Sequence, residues 1–160
     1  MSLVDDLASA IATFEGYFTP GSLAARNNNP GNLRTWGNQP TSGGYAVFPT
    51  AEAGWAALRH QVELNISRGL NLLEFFGGKP GVYPGYAPAA DQNQPVTYAA
   101  FVGQRVGLPV SVPLNQASAR TSVEWPSGTP FGPAEDGTGD VWLVAGLALA
   151  GISLAVLAFG

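Results

Sequence analysis

Glu15 ends a run whose apolar residues recur with helical spacing. Wound at about 100° per residue, residues 3–15 place Leu3, Phe14, Leu7, Ile11, Val4 and Ala8 on one arc, and Glu15 falls between Val4 and Ala8. A carboxyl inside an apolar arc is partly desolvated, which favours its neutral form and raises its pKa. A carboxyl still protonated near neutral pH is what protonation of a glycosidic oxygen requires. Gly16 follows at once, so the side chain stands at a helix end where a cleft could open. The competing reading is a glutamate that reaches to solvent from the edge of the stripe.

The run RNNNPGNLR, from Arg26 to Arg34, is the second chemical feature. Asparagine side chains hydrogen-bond nearby backbone, and Pro30-Gly31 marks a tight turn. On one reading the loop staples itself together. On the other, amide and guanidinium groups bind sugar hydroxyls and acetamido groups beside Glu15. Aromatic residues gather in and near the loops: Tyr17, Phe18, Trp36, Tyr45, Tyr83, Tyr86 and Tyr98. Tyrosine and tryptophan offer an apolar face and a polar tip, which suits a carbohydrate groove as well as ordinary packing. Tyr45 and Tyr98 are the two selected as groove residues.

Other ionisable residues carry less. His60 lies well off its helix's apolar stripe and reads as a surface residue. Glu52 and Glu63 flank that stripe, and Arg59 with Glu63 forms a favourable i,i+4 pair in a surface charge network. Asp91 heads the loop into the last helix and is placed to help cap it. None of them is a compelling second catalytic carboxylate. With no cysteine, a disulfide framework and a Cys-based metal site lack their parts, and a single histidine disfavours a Ser-His triad or a His-rich metal site.

The elements that must position these groups are mainly helical. Beyond the first helix, Thr50 is the expected N-cap of a helix running to about Arg68, with Trp55, Leu58, Val62 and Ile66 as its stripe. A short helix is expected from Leu70 to Phe76, ended by Gly77-Gly78. Another is expected with Asn93 as cap, Pro95 in its first turn, Gly107 at its end, and Tyr98, Phe101 and Val102 on one face. Tyr45, Val47 and Phe48 suggest one short strand, and GGKPGVYPGYAP is an irregular stretch. The expected fold is a small mainly α domain with long loops, over residues 1–118.

Composition changes after that domain. Net charge is −4; residues 1–118 are nearly balanced and most of the surplus acid falls later. No basic patch favours a nucleic-acid partner. Residues 119–140 are rich in Gly, Pro, Ser, Thr and acidic residues, which reads as an extended linker. Residues 141–160, VWLVAGLALAGISLAVLAFG, contain no charge and would span ~30 Å as a helix, the depth of a bilayer core. They are expected to be a transmembrane anchor with Trp142 at its interface. The pairs Gly146/Ala150 and Gly151/Ala155 would permit close helix packing or merely tolerate lipid. Asp5 and Asp6 do not suit the start of a signal peptide.

The strings FEGYFTPGSLAARNNNPGNLR, YAVFPTAEAGWAAL and YAPAADQNQPVTYAAFVGQRVGL, in that order, resemble the phage- and prophage-encoded lytic transglycosylase-like domains of the lysozyme superfamily. The resemblance covers about residues 3–110. It implies a small lysozyme-like fold with a substrate cleft, cleavage of the β-1,4 bond between N-acetylmuramic acid and N-acetylglucosamine in peptidoglycan, and no cofactor. Glu15 matches the catalytic position. It would protonate the leaving oxygen and then act as base on the muramic C6 hydroxyl, giving a 1,6-anhydro product. Attack by water instead would give the product of a hydrolytic lysozyme. Asn28, Asn29, Asn32 and Arg34 match the signature run as sugar-binding or cleft-building residues.

The expected anchor departs from that family. A C-terminal span without a signal peptide is a tail-anchor pattern, which would leave the domain on the cytoplasmic side, away from peptidoglycan. The expectation is therefore a virion protein of a membrane-containing bacteriophage, held in the lipid bilayer through residues 141–160 beside other virion proteins. The host inner membrane is the alternative location. Two further classes stay open: a catalytically inactive glycan-binding module, and a structural membrane protein of the virion.

Overall fold

In a computed structural model, residues 2–117 are described. The linker and anchor expected at 119–140 and 141–160 lie outside the described residues. None of the described helices is long and apolar enough to cross a membrane.

The described chain is mainly α: α1 (Leu3–Phe14), α2 (Leu23–Arg26), the hairpin strands β1 (Thr41–Ser42) and β2 (Tyr45–Ala46), α3 (Ala51–Ser67), α4 (Leu72–Gly77), a 3-10 turn (Ala89–Asp91), α5 (Pro95–Val106) and α6 (Leu114–Ala117). Helix α1 begins at a capping box. Ser2 Oγ accepts from the Asp5 N–H, and the Asp5 carboxylate returns the bond. Asp5 and Asp6 also place negative charge against the positive end of the helix dipole. Leu7, Ala8 and Ile11 are fully buried, and Leu3 and Val4 pack partly buried against them.

Helix α3 follows its expected course, with Thr50 as N-cap and Arg68 as C-cap. Leu58 and Val62 are fully buried, while Trp55 and Ile66 lie at the margin of the core. Gly54 brings α3 onto the asparagine loop, because a Cβ there would collide with the Asn28 carbonyl. The principal core joins α1, α3, α4 and α5, and a smaller one of Leu33, Ala46, Phe48 and Ala57 lies under the hairpin.

Several local expectations are corrected. Arg59 does not pair with Glu63. Its Nε donates to Asp5 Oδ1 of α1 at 2.8 Å, its guanidinium lies 5.6 Å from the Trp55 ring, and His60 is what Glu63 approaches, at 4.0 Å. The N-cap of α5 is Gln94, not Asn93, whose amide instead donates to the Pro88 carbonyl at 3.4 Å. Pro95 at the first helical position, with its φ already set, starts α5 without a side-chain cap. Asp91 closes the 3-10 turn and pairs with Arg34. Val47 and Phe48 lie beyond β2 because their N–H groups donate to Pro40 and Asn27, not to β1.

Candidate active site

The end of α1, the asparagine loop, β2, the middle of α3 and the chain from Tyr83 to Tyr98 enclose a cleft of about 420 Å³. Glu15 lies in it as the C-cap of α1. The Tyr98 hydroxyl donates to Glu15 Oε1 at 2.6 Å, and the Asn32 amide donates to Oε2 at 2.9 Å. Desolvation is the largest influence on this carboxyl and raises its pKa above the ordinary glutamate value; the two hydrogen bonds pull the other way without cancelling it. Both partners are neutral. A guanidinium or ammonium in either place would hold the group ionised, whereas a hydroxyl and an amide tolerate either state.

Tyr98 reaches Glu15 from a fully buried position on α5. Its ring is stacked between Phe14, 3.9 Å between centroids, and Phe76, at 4.0 Å. Neither face is free for a sugar, so its part in the site is played by its hydroxyl. Burial and the nearby Glu15 charge push the Tyr98 pKa well above its usual value, so the phenol stays a donor. Tyr45 lines the cleft partly exposed, with the Arg34 guanidinium 6.0 Å from its ring.

The asparagine loop divides into two roles. Asn29 is fully buried, donates to the Leu33 and Ala46 carbonyls and accepts from the Leu33 N–H, all at 2.9 Å. Asn28, at φ +50°, donates to the Phe48 carbonyl at 3.1 Å, and Asn27 donates to that of Ser42. These three staple the loop and leave no room for Asn29 to meet a sugar. Asn32, at φ +44°, turns into the cleft, and its Oδ1 is buried without a hydrogen-bond partner among the described residues. Arg34 stands at the rim, 3.5 Å from Asp91.

Among the described residues Asp91 is the one other carboxylate lining this cleft. Tyr86 and Gln61 also line it without having been selected from sequence. Tyr86 is fixed by contacts with residues far from it in the chain, and no local pattern marks such a residue. Among the described residues no group of three His, Cys, Asp or Glu is arranged to hold a metal ion. Comparison with protein-family models, with curated proteins and with solved structures found no match to this chain.

Proposed function

We propose that this chain cleaves peptidoglycan at the N-acetylmuramic acid–N-acetylglucosamine β-1,4 bond through a lysozyme-like domain, as a lytic transglycosylase with Glu15 as its acid. The observation that carries the reading is the placement of Glu15, a part-buried carboxyl open to a cleft and gripped by two neutral groups, where burial pushes its pKa up. Such a group delivers a proton to the glycosidic oxygen as the bond to the leaving sugar breaks. The resulting carboxylate is then met by the Tyr98 and Asn32 donors. In that form Glu15 takes the proton of the muramic C6 hydroxyl as its oxygen closes on C1, so one carboxyl serves both steps. Arg34 and Tyr45 are assigned to binding the strand along the cleft.

Hydrolysis is the second reading, favoured by Asp91 in the same cleft, because a second carboxylate is what activation of water calls for. For the whole chain we propose a virion-associated enzyme of a membrane-containing bacteriophage, anchored through residues 141–160. The enzymatic reading is tested by release of soluble fragments from purified peptidoglycan. The wild-type chain should release them and Glu15→Gln should fall by ~10²–10⁴-fold; equal release by both would remove Glu15 from the chemistry. Purified virions that lack the protein would overturn the location.

A further inference from the structure

Asn32 can hold Glu15 only if the turn that carries it is fixed. Inside the turn, the Asn32 N–H donates to the Asn29 carbonyl at 3.0 Å, and Asn29 is itself tied to Leu33 and Ala46. The other side is held by Tyr86, whose hydroxyl donates to the Gly31 carbonyl across 55 residues of sequence. Gly31 makes this approach possible, since a Cβ there would collide with the Tyr86 hydroxyl and a Leu58 methyl.

Tyr86 is itself firmly mounted. Its N–H donates to the Phe75 carbonyl at 2.9 Å, and the next N–H, of Ala87, donates to that of Phe76 at 3.0 Å. Its ring meets Phe76 at 82° and Tyr98 at 83°, edge to face. The aromatic group that supports Tyr98 on Glu15 Oε1 therefore also supports, through Tyr86, the loop that brings Asn32 to Oε2.

We propose that Tyr86 is a positioning residue of the active site: its hydroxyl, acting through the Gly31 carbonyl, holds the turn that aims the Asn32 amide at Glu15. The assignment rests on the reading of Glu15 as the acid, but its test follows the proton on Glu15 rather than glycan cleavage, so the two can fail separately.

The test is the titration of the Glu15 carboxyl, followed by carbon-13 NMR in the full chain. Donation from Asn32 favours the carboxylate, so loosening it moves the midpoint up. Tyr86→Phe keeps the ring and removes the hydroxyl, and should raise the midpoint. Asn32→Gly suits the positive φ and removes the amide; in that background Tyr86→Phe should add nothing. If Tyr86→Phe does not fold in plain buffer, the series is run in sucrose, which is excluded from protein surfaces and strengthens folding. A folded Tyr86→Phe chain with the wild-type midpoint overturns the proposal. So does a shift that persists undiminished in the Asn32→Gly background, because Tyr86 would then act on Glu15 without Asn32.

Discussion

Replacing Glu15 by glutamine should make the protein gain stability relative to the wild type as the pH rises, while the proposed cleavage falls. Glutamine keeps an oxygen for the Tyr98 hydroxyl. Its N–H faces Asn32, whose Oδ1, buried and without a partner among the described residues, accepts once that amide turns over. The variant therefore keeps its hydrogen bonds and loses only a group that is costly to ionise. In the wild type the folded-state pKa of Glu15 is raised by desolvation. Between the unfolded value, about 4.3, and that higher value, the folded chain holds a proton the unfolded chain has released. The stabilisation from the protonated carboxyl is complete below the unfolded pKa and is lost as pH rises through the folded one. Each unit of separation corresponds to ~1.4 kcal/mol, several degrees in Tm for a domain of this size. Urea unfolding of both proteins at pH 4 and pH 7 measures it. The Glu15→Gln chain should gain on the wild type between the two. A difference that is constant with pH, or that moves the other way, would refute the claim that Glu15 is desolvated.

Tyr98→Phe keeps the ring between Phe14 and Phe76 but removes a donor that lowers the Glu15 pKa. The alkaline limb of the pH–rate profile should move up while the maximum rate falls, and urea unfolding should show a loss of ~1 kcal/mol. Gly54→Ala drives a methyl into the Asn28 carbonyl, and thermal unfolding should report a loss of ~1–3 kcal/mol. Arg34→Ala breaks an exposed ion pair with Asp91, so stability should change by less than ~1 kcal/mol, while KM for soluble glycan fragments should rise and kcat should hold.

Patterns within single elements were legible in the sequence. The 3.6-residue spacing located α1 and α3, and the phase of Glu15 on α1 already placed a carboxyl among apolar neighbours. The asparagine run proved to staple its own loop through Asn28 and Asn29, while Asn32 turns to Glu15, a partner that the run's composition does not name. Choices among distant partners were not legible. Periodicity offers Arg59 a neighbour on its own helix, but packing of α1 against α3 puts Asp5 within reach and Arg59 takes it. Tyr98 read as a groove aromatic, because nothing local tells that Phe14 and Phe76 will close over both ring faces and leave only the hydroxyl. Tyr86 was hidden for the same reason, since its bond to Gly31 exists only once α4 and the asparagine loop have met.

The central claim, one carboxyl acting first as acid and then as base, is tested most directly by the chemical ends it leaves. Purified peptidoglycan digested with the full chain should yield fragments carrying 1,6-anhydro muramic ends, read by mass, and Glu15→Gln should yield none. Reducing ends in place of anhydro ends, or anhydro ends undiminished in Glu15→Gln, would contradict it.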